Sequence, residues 1–343
     1  MTDTEKREPI LRVRNLTTSF RTDDGIVTAV DDVSFDLRAG ETLGIVGESG
    51  CGKTVTSKSI MRLLPDHLTI YGPRSEVWFD GMNLVTVDER TMRKVRGRRI
   101  AMIFQEPMTS LNPVFTIGWQ LDEVLGYHTD LNRGERRDKV IEMLGRVEIS
   151  NPEQRIDEYP HQLSGGMRQR VMIAMALCCE PDVLIADEPT TALDVTIQAQ
   201  ILHLMEALKE QLGTAIIMIT HDLGVIAQVC DRVLVMYAGR VIETAEIHAL
   251  FRAPRHPYTK ALLDSIPKSG QRERGKRLPT IRGIVPGLLD LPEGCRFQDR
   301  CELREQRCVD VEPDLEGHEP ERLVRCHFPL GLEPAPSGTG ATS

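Results

Sequence analysis

The chain has 343 residues, 41% of them hydrophobic and 27% charged, with a formal net charge of −9. Those proportions suit one large domain with a smaller one, or two medium domains, and the acidic balance excludes a general affinity for nucleic acid or anionic lipid. Apolar runs such as Ala215 to Ile219 and Val233 to Met236 fall far short of the roughly 18 residues that span a bilayer, and no basic-then-apolar leader opens the chain, so a cytoplasmic protein that meets a membrane only through a partner is expected.

Residues 1–9 are polar and expected to fray. From Ile10 to Phe20 apolar residues alternate, Thr22-Asp23-Asp24-Gly25 is a turn signal, and Val27–Val30 and Val33–Leu37 continue an antiparallel opening sheet. Glu41–Val46 reads as a short buried strand and Val55–Leu64 as a helix. Between them Gly47-Glu48-Ser49-Gly50-Cys51-Gly52-Lys53-Thr54 fits G-x-x-x-x-G-K-[ST]. Glycines let such a loop turn its N–H groups onto phosphate oxygens, and the helix N-terminus adds partial positive charge. Lys53 would neutralise the β- and γ-phosphates and the Thr54 hydroxyl would hold Mg²⁺.

Glu76–Phe79 followed by Asp80-Gly81 predicts a strand and turn, and Asp88–Gly97 a short basic helix with a solvated face. Arg99–Phe104 is a strand ending at Gln105. Leu121–Ile149 reads as a helical insert, Ser164–Leu177 as a helix, Val183–Ala186 as a strand ending in Asp187-Glu188, Asp194–Leu212 as a helix, and Thr214–Ile219 as a strand ending at His221. Helices alternating with short apolar strands imply a parallel sheet covered on both faces, with ligands at the carboxyl ends of its strands. Asp187 would hold Mg²⁺ directly or through water, and Glu188 would polarise the water that attacks the γ-phosphate. Val233–Ala238, Gly239 and Val241–Thr244 form a closing hairpin. Beyond Arg252 the prolines predict an irregular extension with one helix near Tyr258–Ile266, and Pro334–Ser343 a disordered tail.

Leu163-Ser164-Gly165-Gly166-Met167-Arg168-Gln169-Arg170 resembles the signature segment of ABC-type ATPases, with Met167 where Gln is usual. The resemblance implies a P-loop NTPase α/β fold of ABC type: a parallel core sheet, an antiparallel β subdomain and a helical subdomain, here followed by an irregular cysteine-rich extension. It places the ATPase domain at 1–262 with the helical subdomain at about 106–180, the extension at 263–333 and the tail at 334–343. It further implies that Ser164, Gly165 and Gly166 act across a dimer on the ATP held by the partner's phosphate loop. Phe20 matches the adenine-stacking aromatic, and equally suits the core of the opening sheet. Gln105 matches the residue that touches Mg²⁺ or the water, Ala192-Leu193-Asp194 the loop beside the partner, and His221 the histidine on the γ-phosphate.

Met92–Gly97, Ile100–Pro113, Tyr159-Pro160-His161-Gln162, His256-Pro257-Tyr258-Thr259 and Gly283–Gly287 are similar to the oligopeptide and dipeptide importer branch. That branch implies a bacterial importer with two permease subunits, a second and different ATPase chain, and an extracytoplasmic binding protein. The chain would sit at the cytoplasmic face of the plasma membrane. Nickel and glutathione importers share these features. A soluble ABC ATPase acting on DNA or translation is the other class, which one phosphate loop, no heptad run and an acidic balance disfavour. An iron–sulfur redox sensor with a vestigial ATPase is a third, and would not hydrolyse ATP.

Of eight cysteines, Cys51, Cys178, Cys179 and Cys230 are scattered and suit ordinary small buried positions, while Cys295, Cys301, Cys308 and Cys326 follow C-x₅-C-x₆-C-x₁₇-C. In a reducing compartment such clustering favours metal over disulfides, but the gaps exceed those of typical zinc sites. Four thiolates suit a [4Fe–4S] cluster, as the resemblance also implies, with Zn²⁺ or free thiols as the alternatives.

Overall fold

The computed structural model describes residues 8–104, 111–191, 193–266, 281–319 and 321–332. The chain opens with two long strands, β1 (Pro9–Thr22) and β2 (Gly25–Arg38), paired antiparallel through the predicted turn. Their alternating apolar residues, among them Leu11, Val13, Val33, Phe35 and Leu37, are buried. Next come β3 (Thr42–Val46), α1 (Lys53–Ile60), β4 (Thr69–Tyr71), β5 (Glu76–Phe79), β6 (Met82–Asn83), α2 (Glu89–Val95) and β7 (Ile100–Ile103). The first sheet runs β2-β1-β5-β6, with β4 also against β1.

A helical unit follows: α3 (Ile117–His128), α4 (Arg133–Arg146), α5 (Pro152–Arg155) and α6 (Gly165–Leu177). The single helical insert predicted over Leu121–Ile149 is two helices. Asn132 caps α4 by accepting from Gly134 N and Glu135 N, while the Glu135 side chain accepts from Asn132 N, and this reciprocal cap starts a new helix after Thr129. Then come β8 (Val183–Asp187), α7 (Val195–Leu212), β9 (Ala215–Ile219), α8 (Leu223–Val229), β10 (Arg232–Tyr237) and β11 (Arg240–Glu246).

Five strands in the order β7-β8-β9-β3-β10 are parallel. Their continuous apolar runs have a simple cause, since each strand feeds two cores. In β9, Ile216 and Met218 join the core shared with the helical unit, whereas Ala215, Ile217 and Ile219 join the core beneath the first sheet. Burial on both faces holds the carboxyl ends of β3, β8 and β9 side by side on a rigid base.

The remainder is α9 (Ile247–Arg252), α10 (Pro257–Asp264), α11 (Gln306–Asp310), β12 (Glu316–Glu319) and β13 (Arg322–Val324). Here the expectation of an irregular extension needs correction. β13 pairs antiparallel with β11 and β12 with β13, so the predicted closing hairpin β10–β11 does not end the main sheet but carries two further strands. Buried Glu243 of β11 fastens this seam: its oxygens accept from Arg255 N and His256 N, both at 2.8 Å, and from Arg322 at 3.0 Å. Among the described residues no helix is long and apolar enough to cross a membrane.

Candidate active site

The loop Gly47–Gly52 leaves β3 and enters α1. Gly52 has φ of +101°, and a Cβ there would meet Ala29 O at 2.5 Å, so glycine is required on conformation and on space. No side chain caps α1, which leaves its first N–H groups open to a ligand. Lys53 folds back over the loop and donates to Gly47 O at 2.7 Å and Glu48 O at 3.0 Å. Gly50 also lies at positive φ, Ser49 is exposed, and the Cys51 thiol is buried, which pushes its pKa up.

From the next strand but one, Asp187 reaches this helix: Thr54 Oγ1 donates to Asp187 Oδ1 at 3.2 Å. Burial raises the Asp187 carboxyl, against the Thr54 hydrogen bond. A buried carboxylate beside one hydroxyl is under-compensated, and a hard cation with oxygen ligands suits that pair. Glu188 takes a left-handed backbone, φ +50°, rare for a non-glycine residue and common at functional sites. Its Oε1 lies 3.0 Å from His221 Nδ1 and its Oε2 accepts from Thr191 Oγ1 at 2.9 Å. Burial would raise Glu188, but the hydrogen bonds from His221 and Thr191 outweigh it and hold the carboxyl below its ordinary value. The two adjacent carboxyls are thus shifted in opposite directions, Glu188 down and Asp187 up. The hydrogen-bonded pairs Thr54–Asp187 and Glu188–His221 therefore lie together at the ends of β3, β8 and β9.

Other predicted residues are placed apart. Ser164 caps α6 by accepting from Met167 N at 3.3 Å, with Gly165 and Gly166 in the first turn; among the described residues, hydrogen bonds join this segment to its own helix and not to the phosphate loop. Asp194 caps α7 through Ile197 N. Phe20 is half-buried on β1 opposite Val27 and Thr69, a placement that fits the core of the first sheet as well as a stacking role. Gln105 and Ala192 lie outside the described residues. Sequence reasoning missed Thr191, and also Gln169, whose amide donates to Pro189 O and so ties α6 to the segment after Glu188. Gln169 lay inside the quoted signature segment, but nothing local revealed its partner.

The extension closes on the loop from behind. Tyr258 Oη accepts from Glu48 N at 2.9 Å, and the Arg300 guanidinium bonds both Glu48 oxygens, at 2.6 and 2.9 Å. Arg296 bonds Ala238 O at 2.6 Å and pairs with Asp31 of β2. Behind these arginines Cys295, Cys301, Cys308 and Cys326 line one small cavity with His256 and Phe297. All four thiols are free. Burial, and then the neighbouring cysteines, push Cys295 up to about 11; for Cys326 burial and the same neighbours push it to about 12. Among the described residues no three His, Cys, Asp or Glu side chains are grouped to hold a metal ion, so this arrangement supports neither the Zn²⁺ nor the [4Fe–4S] expectation.

Residues 30–191 match the ABC transporter family, and 242–308 the oligopeptide/dipeptide transporter C-terminal region. The chain is similar to the oligopeptide transport ATP-binding protein OppD of Salmonella typhimurium, 50% identical over 94% of each chain. It is 46% identical to the dipeptide transport ATP-binding protein DppD of Escherichia coli, over 94% of this chain and 97% of that one. Its fold resembles the dimeric, post-hydrolysis ATP-binding cassette MJ0796 bound to ADP and Pi, with a TM-score of 0.61 and 28% identity, across 69% of this chain and 98% of that one. An open helix N-terminus behind a glycine loop, two differently tuned carboxyls opposite it, and matches over nearly the whole length agree: the chain belongs to the ABC transporter family, as an ATP-hydrolysing, ATP-binding subunit of the oligopeptide/dipeptide transporter type.

Proposed function

We propose that this subunit powers import of di- and oligopeptides, with two permease subunits, a second ATPase chain and an extracytoplasmic binding protein, from the cytoplasmic face of the membrane. The observation that carries the catalytic reading is the convergence of Thr54, Asp187, Glu188 and His221 at the ends of three adjacent strands. ATP enters as Lys53 moves from the carbonyls of Gly47 and Glu48 to the β- and γ-phosphates, which the N–H groups of Gly50–Thr54 cradle. Thr54 and Asp187 would hold Mg²⁺, joined by Gln105, which lies outside the described residues. When bound, Mg²⁺ neutralises charge on the phosphates. Glu188, kept anionic by Thr191 and His221, accepts a proton from the attacking water, and His221 orients the γ-phosphate. Ser164, Gly165, Gly166 and Asp194 serve the partner's nucleotide, so two chains enclose two ATP molecules and closure drives the permeases.

A surface for those permeases is offered by the helical unit. Trp119 of α3 is 44% exposed and stacks on Phe115 at 4.0 Å, with Val114 exposed beside them. Aromatic anchors on an otherwise polar surface favour docking to another chain. In the extension, Cys295, Cys301, Cys308 and Cys326 would hold a [4Fe–4S] cluster. A cube bound at its corners needs four thiols spread around a cavity and not drawn onto one point, which is consistent with their lining a common space. The cluster would tie down a segment poor in apolar residues.

Uptake of labelled peptides in a strain lacking this chain tests the transport reading: restoration by the wild type and not by Lys53→Ala is expected. Restored uptake of nickel or glutathione with no peptide uptake would overturn the substrate. Iron and acid-labile sulfide after anaerobic purification, near four each per chain and lost in Cys301→Ser, are expected for the cluster; zinc or neither would overturn it.

A further inference from the structure

The motif G-x-x-x-x-G-K-[ST] places no demand on the side chain at Glu48, yet every polar group of that residue is engaged. Its N–H donates to Tyr258 Oη, its carbonyl accepts from Lys53 Nζ and Cys51 N, and its carboxylate takes both arms of Arg300. Lys53 must leave that carbonyl to reach a phosphate. With ATP bound, the arch of the loop is then held at Glu48 by Tyr258 and Arg300, both supplied from beyond the ATPase core.

Arg300 is built for this. Its side chain is 4% exposed, lies against the rings of Tyr237 and Phe297 at 5.7 and 5.9 Å, and gives its Nε to Arg282 O at 2.8 Å. A planar fork fixed on three sides presents the carboxylate with one geometry, which a lysine would not do. Tyr258 is fixed likewise, packed against Tyr237 and Phe297 with ring centroids 4.7 and 5.4 Å away. We propose that Arg300, acting through Glu48, is a positioning residue for ATP binding: it holds the phosphate loop in its phosphate-receiving shape after Lys53 has been withdrawn. The role extends the ATPase assignment and is independent of whether the cysteines hold a cluster.

The test uses the purified full-length chain for ATP binding and the assembled transporter for turnover. Arg300→Met is expected to raise the Kd and KM for ATP about tenfold while kcat changes less than about threefold, because what is lost is preorganisation and not the hydrolytic groups. Arg300→Lys is expected to fall between, and Arg300→Glu combined with Glu48→Arg to recover part of the affinity lost in either single change. Glu48→Gln, which keeps the backbone bonds to Tyr258 and Lys53, must raise KM by itself and serves if Arg300→Met does not fold. Unchanged KM in folded Arg300→Met or in Glu48→Gln, or a fall in kcat alone, would overturn the proposal. A KM shift at wild-type iron content separates this role from any effect of the cysteine cavity.

Discussion

Replacing Glu188 by Gln separates chemistry from binding at this site. The amide keeps the volume of the carboxyl and one of its oxygens, which can still pair with either Thr191 or His221, now 2.9 and 3.0 Å from the two carboxylate oxygens. Losing one of these two hydrogen bonds costs about 1 kcal/mol, so the fold survives. The proton acceptor, by contrast, is removed outright. General-base loss costs about 10²–10⁴ in rate, or roughly 3–5 kcal/mol of barrier. Asp187 is not placed to substitute, since it is buried and Thr54 occupies one of its oxygens. The assay is ATPase activity of the assembled transporter at saturating ATP, with nucleotide affinity and thermal unfolding measured alongside. Turnover should fall at least a hundredfold while ATP affinity stays within about threefold. A variant that hydrolyses within threefold of the wild type, or that loses ATP binding in step with turnover, would refute the division of labour between the two carboxyls.

Three further outcomes are expected. In Gly52→Ala the left-handed φ costs about 1–2 kcal/mol and the new Cβ meets Ala29 O, so ATP affinity should drop at least about tenfold and Tm by a few degrees, read by nucleotide titration and calorimetry. Burial pushes the Asp31 carboxyl up, but Arg240 and Arg296 outweigh it and hold it below its ordinary value of 3.8. Its stabilising contribution is therefore present at neutral pH and lost as pH falls below about 4; Asp31→Asn should be about 1–2 kcal/mol less stable in urea at pH 7, the gap narrowing below pH 4. Trp119→Ala should leave Tm within a degree or two yet reduce co-purification with the permeases, and equal recovery would sink the docking surface.

The phosphate loop, the carboxylates of β8 and the histidine after β9 were legible because each is written in a few consecutive residues whose spacing has one physical use. The alternation of apolar strands and helices likewise disclosed the parallel sheet. The break between α3 and α4 was legible too, in the Asn132-x-x-Glu135 pair, but the apolar spacing on both sides masked it. What stayed hidden is pairing between distant segments. β12 is short and polar and β13 only three residues long, so neither announces a strand; the pairing of β13 with distant β11 and of β12 with β13, braced by buried Arg322 against Glu243, is what extends the sheet. Arg300 stands among several arginines with nothing local to distinguish it; its meaning is set by a partner 252 positions earlier. The four cysteines stood out as a cluster in the sequence, and they do line a common cavity, but their spacing could not specify what that cavity holds.

That separation bears on how the protein is made. At about 5–20 residues per second of synthesis, Arg300 leaves the ribosome roughly 13–50 s after Glu48, and also after β9 and β10, the strands that flank β3 in the sheet. The phosphate loop of a growing chain must therefore wait, with its acidic residue unpaired, until nearly all of the sequence has been translated. A nascent or truncated chain would carry every residue of the nucleotide motif and still meet cellular ATP with an unbraced loop, so full affinity for the fuel waits for a residue near the far end of the chain.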